Sequence, residues 1–294
     1  MKTTTDAYTK VTNQVIDLME KGIIPWKKTW NAALDAPQNF VTGRPYNGFN
    51  NFILTVLAMV HHHTTNFWLT YNQAKNLGGN IKKGEHGTTI IYWIIKKDEE
   101  APKDPKDENK KVMFPKAHTV FNLDQTEGIE YQVNERPATT ENEKNEFCQQ
   151  IVDEMPKRPE IVCNGSQPCY SPIKDTVYIP VVENFDSTNE YYATLFHELA
   201  HSTGHASRLN RKEVSQGTHF GTGDYSREEL VAEFTSLFLC EKANILSHTI
   251  ENSTAYLQNW LTALKNDKKM LLIASSQAQK AANFILNIKN DDPE

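Results

Sequence analysis

The sequence predicts an α+β protein of two domains, an α+β module over residues 1–135 followed by a mostly helical module over 136–294. Three observations carry this. The β-forming runs TTIIYWIIKK (88–97) and AHTVFNL (117–123) lie in the first part. From residue 187 onward the apolar spacing is helical with few interruptions. Charge and aromatic residues divide along the same line. Residues 1–130 hold 16 Lys+Arg against 14 Asp+Glu and four of the five tryptophans, while the whole chain has a net charge of −6. The acidic excess therefore belongs to the second part, and such an asymmetry points to modules with different tasks.

Taken in order, residues 5–22 read as a helix with Val11, Val15, Ile16, Leu18 and Met19 on its apolar face, closed by Gly22 and Pro25. The Asn-, Gly- and Pro-rich segment that follows reads as loop, and a helix is expected over 49–62. FWLT is a short strand, YNQAKNLGG a short helix ended by glycine, and TTIIYWIIKK and AHTVFNL are strands. The charged stretch 97–111 between those strands reads as a hairpin or loop. After a polar linker near 132–140 come a helix over 141–155, a turn-rich NGSQPCYSP and a strand, DTVYIP. Helices are then expected over 187–203, 226–246, 250–266 and 268–288.

At 294 residues, 38% hydrophobic and 23% charged, the composition is that of a soluble globular protein with room for a full core in each module. No apolar run approaches the length of a membrane span, and the first 22 residues lack the apolar stretch of a secretory signal, so a cytoplasmic protein without membrane partners is expected. Cys148, Cys163, Cys169 and Cys240 contain no CxxC pair and read as free thiols.

The sharpest signal is HELAH at 197–201. On a helix, His197 and His201 stand one turn apart on one face, where two imidazoles can bind a single cation. Glu198 is rotated by about 100° from them, placed to act as general base on a water. Ser187 and Glu190 have capping-box spacing in front, and Gly204 is a suitable stop behind. Such a site needs a third protein ligand. Ser207 stands where some families carry a third histidine, and His205 lies past Gly204. Better candidates sit in SREELVAEFTSLFLC, a helix apolar around most of its circumference, whose carboxylates therefore need partners. Periodicity does not choose among Glu228, Glu229 and Glu233, and Ser226 to Glu229 also has the spacing of a helix cap. Zinc suits these ligand types, with manganese or cobalt also able to fit. A cation there would polarise a peptide carbonyl while Glu198 moves the proton. DTVYIP reads either as an edge strand for an extended peptide or as an ordinary core strand, and His219 and Tyr225 are candidate oxyanion donors.

At these residues the chain resembles the ArdC family of plasmid-encoded antirestriction proteins. The likeness rests on YSPIKDTVYIP (170–180), YYATLFHELAHSTGH (191–205) and YSREELVAEF (225–234) behind, and on GRPYNGFN (43–50), FWLTYNQAKNLGGNIKKGEHG (67–87) and HTVFNLDQTEGI (118–129) in front. The resemblance implies a single-stranded-DNA-binding domain joined to a zincin-like, gluzincin-type metallopeptidase domain. It implies His197, His201 and Glu229 as ligands, Glu198 as base and Glu233 as the carboxylate that orients a ligating histidine. It also implies protection of incoming conjugative DNA from host restriction, with a host restriction factor as a protein substrate. The insert at 97–111 has no firm counterpart in the family pattern.

Single-stranded DNA asks for a basic track with aromatic rings on which bases stack. Trp26, Lys27, Lys28 and Trp30, Arg44 beside Tyr46, and Lys82 and Lys83 near Trp68 and Tyr71 would supply it; the bland reading makes the tryptophans core and the lysines solvated surface. GGNIKKGEHG reads as a turn, since it does not match the phosphate-loop pattern. His61–His63 read as residues at a helix C-terminus. Two other functions compete: a DNA-coating protein with a structural zinc, and a protease acting on DNA–protein crosslinks in the manner of SprT-like proteins.

Overall fold

The computed structural model describes residues 4–22, 36–97, 111–131, 140–164, 167–215, 223–245 and 253–288. The front module begins with α1 (Thr4–Glu20), β1 (Gln38–Asn39), α2 (Gly48–Val60), β2 (Phe67–Leu69) and α3 (Tyr71–Asn76). It continues with β3 (Asn80–Ile81), β4 (Thr88–Lys97), β5 (Lys111–Asn122) and β6 (Thr126–Glu127). The main sheet has the order β1-β2-β5-β4, and β3 pairs with β6 beside it. β4 and β5 form an antiparallel ribbon in register from Thr88↔Val120 to Lys97↔Lys111. The expected loop over 97–111 lies, but for its two end residues, outside the described residues. α3 starts at a full capping box: Thr70 accepts from the Gln73 amide and the Gln73 side chain returns the bond.

The second module runs α4 (Glu141–Asp153), β7 (Glu160–Cys163), β8 (Cys169–Ser171), β9 (Thr176–Ile179), α5 (Thr188–Thr203), α6 (Lys212–Ser215), α7 (Gly223–Ala243), α8 (Ser253–Asn266) and α9 (Met270–Ile285). Its sheet has the order β7-β9-β8, with β7 parallel and β8 antiparallel to β9. DTVYIP therefore supplies the central strand, hydrogen-bonded on both sides; the edge-strand alternative is corrected. Cys163 and Cys169 sit on the two strands flanking β9, about 9.5 Å apart by strand spacing, beyond the reach of a disulfide. All four thiols are free.

α7 is the axis of this module. Every residue from Leu230 to Cys240 is buried, because α5 packs on one side of the helix and α9 on another. Apolar side chains around the whole circumference are what such a position requires. α7 begins at Gly223, so Ser226 lies inside the helix and does not cap it. Gly204, by contrast, ends α5 with an ordinary right-handed φ of −73°. Its necessity is spatial, since a Cβ there would meet Val214 Cγ2 at 2.5 Å.

The two modules share one hydrophobic core. A continuous cluster of buried side chains runs from Val11 and Val15 of α1 through α2 to α5, α7 and α9. Phe52 of α2 rests on Phe234 of α7 with ring centroids 4.2 Å apart, and the Gly48 amide donates to Gln279 Oε1 of α9 at 2.9 Å. At the other end of the seam the Thr12 hydroxyl donates to the Lys268 carbonyl at 2.8 Å. Phe52→Ala is expected to cost about 3–5 kcal/mol and to destabilise both modules in one cooperative transition. Urea unfolding followed by tryptophan fluorescence and by far-UV circular dichroism checks this; two separated transitions would contradict a shared core.

Candidate metal centre

His197 and His201 face α7 because α5 packs along it, and Glu229 meets them from the other helix. The His197 and His201 Nε2 atoms lie 3.2 Å apart. Glu229 Oε2 is 3.7 Å from His197 Nε2, and Glu229 Oε1 is 3.6 Å from His201 Nε2. Ligands bonded tetrahedrally to zinc at about 2.0–2.1 Å stand about 3.3 Å from one another. The two imidazole nitrogens and the carboxylate oxygen nearest each of them already hold roughly that spacing, and two imidazoles with one carboxylate form a suitable donor set for a divalent cation. Among the described residues this is the one cluster of His, Cys, Asp and Glu with donors so close together.

A helix turns about 100° per residue, so the neighbouring Glu228 leaves α7 in a different direction from Glu229. It reaches the far side of His201, 3.2 Å from Nδ1. Arg211 locks that carboxylate with two bonds, Nε to Oε2 at 2.9 Å and Nη2 to Oε1 at 2.6 Å, and also donates to the Ala200 carbonyl and the Thr203 hydroxyl. A carboxylate on Nδ1 holds the proton there and leaves the Nε2 lone pair for a cation. The expected orienting residue was Glu233, but on His201 that part is played by Glu228. Glu233, buried one turn further along α7, acts on His197 through its charge. Arg211 escaped the sequence reading; its signal was the need of a buried Glu228 for a cationic partner.

The remaining candidates separate cleanly. Glu198 is 5% exposed; burial raises the Cys169 thiol of β8 and the Glu198 charge adds to it, which sets the carboxylate near that strand. Tyr225 hydrogen-bonds to Glu229. His205 pairs with the Ser207 hydroxyl at 2.8 Å and is no part of the cluster. His219 lies outside the described residues.

In the front module, Trp26, Lys27, Lys28 and Trp30 lie outside the described residues. Two of the expected stacking rings are corrected. Trp68 is 1% exposed, its indole N–H donating to Asn66 Oδ1 at 3.3 Å. Tyr46 is 5% exposed, its hydroxyl accepting from the Asn39 amide at 3.4 Å. Both fill the core and offer no face to a strand. Arg44, Tyr71, Lys82 and Lys83 are exposed, with the Lys75 ammonium over the Tyr71 ring.

Without a cation, the acidic groups hold protons on the imidazoles. Burial pulls His197 down, but its bond to Glu229 and the charges of Glu233, Glu198 and Glu229 override this and lift it to about 9. His201 is raised as well, burial being outweighed by Glu228 and Glu229. Glu229, which burial would push up, is held at about 2 by its bond to His197 and by both imidazolium charges. Arg211 and His201 likewise lower Glu228 against its burial. His197, raised from 6.5, adds stability in full below pH 6.5 and loses it as the pH climbs to about 9. Glu229, lowered from 4.5, adds stability in full above pH 4.5 and loses it as the pH falls to about 2. Metal-free protein is therefore expected to lose urea resistance between pH 6.5 and 9, and Glu229→Gln to flatten that alkaline arm. An arm unchanged in the variant would contradict the pairing. Arg211→Met, which strands a buried carboxylate behind His201, is expected to weaken divalent-cation affinity about 10–100-fold, read by chelator competition.

Residues 149–277 match the family model of a zincin-like metallopeptidase, and residues 5–121 match the N-terminal domain of anti-restriction factor ArdC. The chain is 30% identical over 97% of its length to the uncharacterized protein y4eC of Sinorhizobium fredii, covering 92% of that protein. It is also 30% identical over 94% of its length to two forms of DNA primase TraC of Escherichia coli, of which it spans 27% and 19%. Among solved structures it resembles the antirestriction protein ArdC of plasmid R388 at 32% identity. The metal-free form has a TM-score of 0.76 over 98% of this chain and 100% of that one; the Mn(II)-bound form has 0.73 over 97% and 99%. Both modules, in order and over nearly the full length, are matched, and the chain belongs to the ArdC antirestriction family.

Proposed function

We propose that this protein binds single-stranded DNA through its front module and hydrolyses a peptide bond at the metal centre, acting in the cytoplasm to protect incoming DNA from restriction. The observation that carries the catalytic half is the convergence of His197 Nε2, His201 Nε2 and a Glu229 carboxylate oxygen within 4.8 Å of one another, with Glu198 buried on the same helix. A structural zinc is normally closed by four protein ligands, whereas a catalytic one keeps three and an open position. The described cluster offers three.

A divalent cation at this position supplies Lewis acidity and lowers the pKa of water. Zinc is the reading favoured by ligand type, and the Mn(II)-bound form of the R388 protein supports manganese as a second occupant. The chain's own residues do the rest. Glu198 takes the proton of the attacking water and passes it to the leaving nitrogen. Glu228 and Arg211 keep His201 in the tautomer that presents Nε2. Tyr225, bonded to Glu229, holds that carboxylate on the histidines. The protein substrate is a host factor of restriction, brought close by the DNA the front module holds. Arg44, Tyr71, Lys82 and Lys83, all on the surface of that module, support the DNA reading by charge and by one free aromatic face.

Glu198→Gln keeps both histidines and Glu229. It is expected to retain the wild-type metal content and to lose peptide cleavage by at least about 100-fold, measured on restriction-system proteins in the presence of single-stranded DNA. Retention of full cleavage would remove Glu198 as the base. Full shielding of DNA by the inactive variant would assign protection to binding alone.

A further inference from the structure

The front module contains a cleft of about 730 Å³ that lies away from the metal centre. Its walls are the end of α2, the turn between β3 and β4, and strand β5. That volume is within the range of small-molecule and cofactor sites. The lining mixes apolar surface with polar groups and carries little formal charge: the imidazoles of His61, His63 and His86, the hydroxyls of Thr89 and Thr119, and a single carboxylate, Glu85. Three imidazoles and a carboxylate suggest a cation, but the geometry decides against it. Among the described residues, donors close enough to hold a metal occur at His197, His201 and Glu229 and not here.

The lining also disfavours an anion, because the one formal charge in the wall is negative. The shape of the wall suits a flat heteroaromatic ring. The His61 and His63 rings have centroids 5.8 Å apart at 39°, and Trp68 backs His63 edge-on at 5.9 Å and 85°. Trp68 thereby fixes the ring that could serve as a stacking surface. Burial also lowers the His63 pKa against the opposing charge of Asp124, favouring a neutral ring. Glu85 is fixed as well, since the Gln125 amide donates to its Oε2 at 2.7 Å. A held carboxylate beside two imidazole rings accepts hydrogen bonds from an exocyclic amino group, as carboxylates do from cytosine N4. Lys82 and Lys83 stand immediately before the turn at the rim, and the Lys82 ammonium donates to the Asp124 carbonyl at 2.8 Å. Positive charge at the mouth and an interior of imidazole rings with one fixed carboxylate match a nucleotide entering base first, its phosphates left outside.

We infer that this cleft takes one amino-bearing nucleobase of a single strand, cytosine in preference to thymine, stacked beside His61 and His63 with its amino edge on Glu85. The inference rests on the DNA-binding reading and assigns it a specific pocket. Lys83 meets the adjoining phosphate. Thymine, which has no amino group, loses the Glu85 bond and keeps the stacking.

The test uses the full chain and fluorescence anisotropy with labelled oligo-dC, oligo-dT and an abasic deoxyribose-phosphate strand of equal length. The wild-type protein is expected to bind oligo-dC about tenfold more tightly than the abasic strand, the scale of one stacked base, with oligo-dT between them. Glu85→Ala should remove the dC-over-dT preference and His61→Ala most of the gain over the abasic strand. Lys83→Ala should weaken all three alike and lower the salt slope by about one. As a readout independent of folding defects, carbethoxylation of His61 and His86 in wild-type protein should be blocked by oligo-dC and not by the abasic strand. Equal affinity for all three strands would overturn the base pocket while leaving DNA binding intact. No binding to any strand would overturn the DNA-binding reading and the pocket with it. Displacement of oligo-dC by free dCMP at equal concentration of nucleotide would transfer the pocket to a free nucleotide and overturn the strand assignment.

Discussion

The structure around the metal centre depends on one constraint: carboxylates carried by a helix that is otherwise dry. α7 is buried along most of its length, and an unpaired carboxylate in such a place is too costly to persist in ionised form. Glu228 and Glu229 remain ionised because cationic groups are brought to them, Arg211 and His201 to one, both imidazoles to the other. The requirement fixes more than charge. It sets the rotation of α5 against α7, holds the segment bearing Arg211 against the end of α5, and gives His201 a defined tautomer. A divalent cation held here would take the place of protons already gathered at that point.

Much of this was legible in the sequence where the signal was local. HELAH on a helix needs only the i, i+4 relation of two histidines, and the long helices of the second module announce themselves by 3.6-residue spacing. The choice among Glu228, Glu229 and Glu233 was not legible, because it depends on the rotation of α7 about its axis relative to α5, which no pattern within α7 records. Arg211 was hidden for a related reason: it stands just before α6, and its partner Glu228 is 17 residues away on α7. The strands β1, β3 and β6, of two residues each, are too short to carry a period-2 signal. Trp68 and Tyr46 show the opposite failure. Composition said that the front module is rich in aromatic rings, but whether a ring faces water is decided by packing, and these two are the packing.

Gly204 makes a similar point on a smaller scale. Its position after the histidine helix suggested a backbone role, yet its dihedrals are available to any residue. What the site needs is the absence of a side chain, so that Val214 can close on the end of α5. That closure holds the segment between them against the end of α5, where the Arg211 amide donates to the Gly204 carbonyl, and leaves the Arg211 side chain where it reaches back to the Ala200 carbonyl and to Glu228. A hydrogen atom in place of a methyl group thus contributes to the orientation of a histidine some distance away.

The seam between α2 and α7 bears on how this family can be passed from one gene to another. A module whose apolar face is covered by its own residues can be recombined freely, but here Phe52 has Phe234 for its cover. Cutting the chain between the modules would leave a greasy flank on each piece. Inheritance as an undivided block is the natural outcome, and the TraC relatives, several times longer than this chain, align with both modules together.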